Sequence, residues 1–313
     1  MRTWIVVALS LAASSGCSGG GSGGGGGNDF PGPAISLGAA TDARHLAAED
    51  GFVYWSEFSP GLLQRVDRDG GTPETLASGL TSPSYLTLTA THVFVSTVDG
   101  VRRVARTGGT PEPFADVAGG STGLAVDGEF VYFASTNDDR LARVPLVGGS
   151  AATLASVDGP ASIVLQGDSL FWGGGFTEPN SQVGEIPKSG GASTPLLPSI
   201  GYVPTLHTDG TNLYFRDGQG GGAEFPVRLL SLPIAGGEAL VLADEQPRIS
   251  GATIDADLVY WVGGDARDII YAVPKGGGEI RTLAEGQTGA IFLAQDETAL
   301  YWVAQGSVMR LAR

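Results

Sequence analysis

Three histidines, His45, His92 and His207, are the only imidazoles in the 313-residue chain. Imidazole moves protons and binds metals near neutral pH, but a working site needs two or three such groups to converge. Within the repeat set out below, His45 opens an innermost strand and His207 lies two positions deeper in a later copy. His92 falls past a turn, toward the opposite face. His45 and His207 are therefore the pair able to meet across a narrow channel. The same rim gathers Arg44, Tyr85, Tyr202 and Arg248 at strand starts, with Arg216 and Asp217 in a loop. Aromatic rings with mixed charge around a concave mouth suit a peptide, a glycan or a small molecule. These residues, with His45 and His207, form the candidate ligand-binding set.

The rim loops also carry the carboxylates Glu57, Asp99, Asp138, Asp139, Glu178, Glu224, Asp265 and Asp268. Calcium takes roughly six to eight oxygen ligands, so Ca2+ is conceivable there, but no calcium-loop spacing supports it. No cofactor is expected. The glycine clusters punctuate turns and lack the Gly-Lys-Ser/Thr ending of a phosphate loop. No catalytic residue and no metal ligand is assigned.

A recurrent phrase supplies the elements that must position these side chains. Seven pairs recur: Tyr54-Trp55, Phe94-Val95, Tyr132-Phe133, Phe171-Trp172, Tyr214-Phe215, Tyr260-Trp261 and Tyr301-Trp302. Their spacing of about 40 residues suits one four-stranded blade of a β-propeller. Each copy reads as an apolar strand, a polar turn, the strand with the pair, a loop, a third strand, a Gly-Gly turn and a fourth strand. Glycine at those turns accepts the positive φ of a tight hairpin. A blade is too thin to bury its apolar faces alone, so neighbours must cover them.

The Gly-Gly turns number only six, ending with Gly276-Gly277. The seventh copy stops at Arg313, before its outer strand. Residues 33–41, PAISLGAAT, read as an outer strand with no copy in front of them. The expected fold is therefore all-β: a seven-bladed propeller of four-stranded antiparallel blades. Its ring is closed by an N-terminal strand that completes the last blade, and residues 34–313 make one domain.

The formal net charge is −15. Such a balance argues against nucleic acid, which is held by Lys and Arg on phosphates, and against adhesion to anionic lipid through a basic patch. The single cysteine, Cys17, rules out an intramolecular disulfide. Arg2, an apolar run over 4–13 and the small residues Ser14, Ser15 and Gly16 read as a secretory signal. The run is shorter than the roughly 20 residues of a membrane span. The glycine- and serine-rich segment 18–33 that follows reads as a flexible tether.

Two resemblances add to this. Gly16-Cys17 after the apolar run resembles a bacterial lipoprotein signal (1–17). It implies lipidation of Cys17, export, and attachment to the cell envelope through the lipid alone; Ser18 points to the outer membrane, facing the periplasm or the cell surface. Asp50-Gly51, Tyr54-Trp55, Arg65-Val66, Gly70-Gly71 and Leu76-Ala77, with their counterparts, resemble the YWTD, TolB-like and NHL propellers. Ser56-Glu57 stands where the YWTD signature has Thr-Asp, so no ligand site is carried over. The resemblance implies a module that binds an envelope protein, a peptide or a glycan. The alternative is a propeller enzyme, a lyase or hydrolase, with its site at the channel mouth.

Overall fold

The computed structural model describes residues 30, 32–117, 120–174, 182–198, 200–218 and 227–313. Cys17, the signal, most of the tether, Glu178 and Glu224 lie outside the described residues. Among those residues the chain forms seven four-stranded antiparallel sheets and no helix. Blades 1 to 6 comprise residues 43–77, 86–115, 123–156, 160–198, 206–246 and 251–284. Blade 7 consists of residues 291–312 and the strand Ile35–Ala39. The innermost strands touch one another in a ring around a central channel.

Closure follows the expected register. Ile35 lies opposite Arg310, Ser36 opposite Met309 and Ala39 opposite Ser307. The amide of Ala40 extends the ladder by donating to the Gly306 carbonyl at 2.8 Å. Leu37 is the bulged residue of this pairing and is buried. The same bulge recurs in the outer pairing of every blade, at Leu76, Phe114, Leu154, Leu196, Leu242 and Leu283. An extra residue there turns its side chain back under the blade. This accounts for the leucine that precedes alanine in most copies.

The second strands are apolar nearly throughout because both their faces are covered. Successive side chains of a strand point to opposite faces. The first residue of each pair therefore faces the next blade and the second faces the previous one. Each of the seven apolar clusters accordingly joins two blades. Tyr301 of blade 7 packs in one cluster with Trp55 of blade 1, and Tyr260 of blade 6 with Trp302 of blade 7.

The first residues of the pairs also decide the polarity of the junctions. Tyr132 donates to Asp127 at 3.0 Å, and Lys188 of the next blade reaches the same carboxylate at 3.0 Å. Asp209, Tyr214 and Lys275 repeat this, as do Asp255, Tyr260 and Arg313, and Asp296, Tyr301 and Arg68. At the first junction Arg106 donates to the Tyr54 hydroxyl at 2.9 Å and to Asp50 at 2.8 Å. Where the pair begins with Phe, the acid and the base vanish together. Phe94 packs with Leu146, and Phe171 with Ile234. Thr89 and Gln166 then stand where the aspartate would be. A buried charge without its partner is costly, so the three positions change as a set.

Candidate functional site

One position of the repeat builds one mouth of the channel. In every innermost strand an apolar residue lies opposite the second member of the pair, as Leu46 does opposite Trp55. The residue just before it points into the channel. Around the ring these residues are His45, Tyr85, Gly123, Ser162, Thr205, Gly251 and Phe292, and all line a single cavity of about 480 Å³. Small residues occupy four consecutive blades, 3 to 6, and leave the space. Phe292, His45 and Tyr85 stand in blade 7, blade 1 and the approach to blade 2, and form an aromatic wall opposite. The His45 and Tyr85 rings lie 5.3 Å apart.

Backbone geometry holds the wall in place. Phe292 is the bulged residue between Ile291 and Leu293 and has φ of 51°. A left-handed conformation is unusual for a bulky side chain and is held only by its surroundings. Its neighbour across the blade boundary is Gly251, where a Cβ would come within 2.9 Å of the Phe292 nitrogen. Glycine is needed there for the two innermost strands to approach so closely.

Arg216, Arg248 and Arg267 reach the cavity from the side of blades 5 and 6, and His207 lines the same side. Among the described residues no carboxylate lines it, although the chain has 33 acidic residues against 18 Lys and Arg. Arg216 is fixed by donating to the Ile249 carbonyl at 2.9 Å, and its guanidinium lies 5.8 Å from the Tyr202 ring centre. Burial pushes the Arg216 guanidinium below its ordinary range; the Tyr202 hydroxyl opposes this and the like charge of Arg248 adds to it. Burial likewise lowers both His45 and His207 to about 4, so each imidazole is neutral at pH 7. The like charge of a protonated His207 adds to the lowering of His45, and both line the one cavity. Burial raises the Tyr85 phenol to about 12, with Tyr202 adding to it.

Four buried polar atoms at this mouth have no hydrogen-bond partner: His45 Nδ1, Thr205 Oγ1, His207 Nε2 and Arg216 Nε. Such atoms normally find a partner in protein or water, and four of the nine among the described residues gather at this mouth.

The candidate residues divide. His45, Tyr85, His207, Arg216 and Arg248 line the cavity, and Tyr202 flanks it beside Arg216. Arg44 faces outward, pairs with Asp42 at 3.1 Å and lies over Phe58. Asp217 is turned into the framework, where it accepts from the Gly201 amide and from Arg228. It occupies the place held in blade 1 by Glu57, which accepts from the Asp42 amide and Trp55 Nε1. Phe292, Thr205 and Arg267 escaped the sequence reading. The first two share the repeat position of His45 and Tyr85, a signal visible once the copies are aligned strand by strand. Arg267 sits between Ala266 and Asp268 in a turn whose acids drew the attention.

Among the described residues no group of three or more His, Cys, Asp or Glu could hold a metal. The spacing Gly-x-Ser-x-Gly does occur, at 119–123. Ser121 leads into an innermost strand with no helix after it, unlike the strand–turn–helix element that exposes a nucleophile.

No profile of a known family matches the chain, and no curated protein does. Solved structures match well. The virginiamycin B lyase of Staphylococcus aureus is 15% identical with a TM-score of 0.71, covering 90% of this chain and 98% of that one. Hydrazine synthase of Kuenenia stuttgartiensis is 13% identical with a TM-score of 0.71, covering 93% of this chain and 98% of that one. The extracellular domain of a one-component system of B. thetaiotaomicron is 11% identical with a TM-score of 0.70, covering 90% of this chain and 40% of that one. At such identities the likeness establishes the seven-bladed propeller fold and nothing about chemistry.

Proposed function

We propose that the protein is a lipid-anchored binding module of the cell envelope, exported and held in the outer membrane through Cys17 and the tether 18–33. The domain 34–313 presents its cavity mouth to an envelope protein, a peptide or a glycan. The supporting observation is the cavity of about 480 Å³ lined by an aromatic wall and by unpartnered polar atoms. Concave sites with apolar walls and a few fixed polar groups are the usual form of a ligand pocket. Ser250 lines the cavity, so Ser250→Trp fills it. Full-length protein should capture a partner from envelope extract that Ser250→Trp fails to capture. A partner held equally by both, or by neither, overturns this assignment. Cys17→Ser should move the protein from the membrane to the soluble fraction, and unchanged fractionation sinks the anchor.

A lyase or hydrolase reading draws on the two neutral imidazoles, which can accept a proton, and on the lyase that shares the fold. Such chemistry normally pairs the base with an acid or an orienting carboxylate. Among the described residues no carboxylate of the lining pairs with either imidazole, and binding is the reading we favour.

A further inference from the structure

We infer that the group received by this cavity is a carboxylate joined to an apolar body. Its charge would meet the Arg216, Arg248 and Arg267 side and its body would lie on the Phe292 wall. The inference rests on the binding-module reading and specifies its ligand.

Three observations carry it. The first is the sign of the lining charge. In a chain of net charge −15, the charged side chains that line the cavity among the described residues are three arginines, and none of the three is ion-paired with a described carboxylate. This is the reverse of the blade junctions, where Arg68, Arg106 and Arg313 each meet an acid. Like charges held together without a counter-ion repel, and an anion placed among them relieves the repulsion.

The second is the state of Arg216. The Ile249 carbonyl fixes NH1, whereas Nε is buried and unpartnered. A guanidinium edge offers parallel N–H donors that match the two oxygens of a carboxylate, and a fork already anchored at one nitrogen loses little freedom on binding. Thr205 Oγ1, also unpartnered, lies on the same side and can donate a further hydrogen bond to the carboxylate.

The third is the apolar wall, which adjoins blade 6. Ile291, Phe292 and Leu293 contribute apolar surface and an aromatic ring held by its backbone. A fully hydrated inorganic anion gains nothing from such a wall, whereas a phenyl or branched aliphatic group does. The volume suits a ligand of this size, or the last one or two residues of a peptide.

A free acid and a peptide C-terminus share this chemistry, and the test separates them. The probes are 3-phenylpropionate with its amide, and acetyl-glycyl-phenylalanine with its C-terminal amide, titrated by calorimetry into the full-length protein. Each acid should bind at least about ten-fold more tightly than its amide, the factor expected for a charge-assisted hydrogen bond. Arg248→Gln should abolish that preference. Arg216→Gln should do the same, and Arg248→Gln guards against a folding defect in it, because Arg216 also supports the Ile249 carbonyl. Arg44→Gln, outside the cavity, should retain the full preference. A peptide acid bound more tightly than 3-phenylpropionate supports the peptide terminus, and the reverse order supports a free acid. Equal binding of acid and amide, blocked by Ser250→Trp, overturns the carboxylate assignment and leaves the binding module standing. No binding of any probe up to about 10 mM also overturns it. Loss or retention of the Ser250→Trp capture phenotype then shows separately whether the binding-module reading survives.

Discussion

Between blades 3 and 4, Asp127 accepts from two amides, the Tyr132 hydroxyl and Lys188. At the channel mouth Arg216 leaves Nε without a partner and feels the like charge of Arg248, with no acid in the lining among the described residues. Both regions bury polar groups in one ring built from one repeat. At the junctions an acid, a tyrosine and a base come together, or the acid and the base are both replaced by uncharged residues. At the mouth the bases stand without an acid among the described residues. The charged sets join one blade to the next; the proposal above gives the unpaired arginines of the mouth to a ligand.

The sharpest way to break the framework is to remove residues 33–41. We expect loss of a single cooperative unfolding transition, because blade 7 would lose Leu37 and its edge pairing; thermal melting followed by circular dichroism reads this. An unchanged transition would show that closure contributes little. Next in size is acid sensitivity at the mouth. The folded values of His45 and His207, about 4, lie below the ordinary 6.5. The unfolded chain therefore binds more protons between these values, and stability falls as pH drops from 6.5 toward 4. Each shift is worth up to about 3 kcal/mol. Urea unfolding at pH 7 and 4.5 should show a smaller loss for His45→Gln/His207→Gln than for wild type.

Smaller effects probe one junction. Lys188→Leu should cost about 1–2 kcal/mol, since it removes a donor from a half-buried carboxylate. The triple change Asp127→Thr, Tyr132→Phe and Lys188→Leu copies the neighbouring junction of Phe94 and Leu146 and should return to within about 1 kcal/mol of wild type. A triple variant worse than the single would mean that the three positions do not act as a set.

The sequence exposed the framework more fully than the mouth, and the reason is periodicity. Tyr54-Trp55 and its counterparts are buried on both faces in every blade, so the same requirement is written seven times. The surplus strand at 35–39 could be placed because a missing outer strand leaves a gap in that count. The junction sets were less visible: Asp127 and Lys188 lie 61 residues apart and meet only when blades stack. At the mouth the repeat position survives while its residue type does not. His45, Gly123 and Phe292 occupy one place with unlike side chains, so no shared letter marks it. Arg44 and Asp217 sit next to mouth residues in sequence, but strand alternation and a bulge turn them elsewhere.

The pairing of Ile35 with Arg310 also sets a constraint on folding. These partners are about 275 residues apart along the chain, so the strand that holds Ile35 keeps an unsatisfied edge until blade 7 has formed. Joining strands so distant is slow by loop entropy, and a chain in which only blades 1 to 6 have formed is a horseshoe with two open edges. A chaperone that shields that early ribbon would protect the molecule at its most aggregation-prone stage.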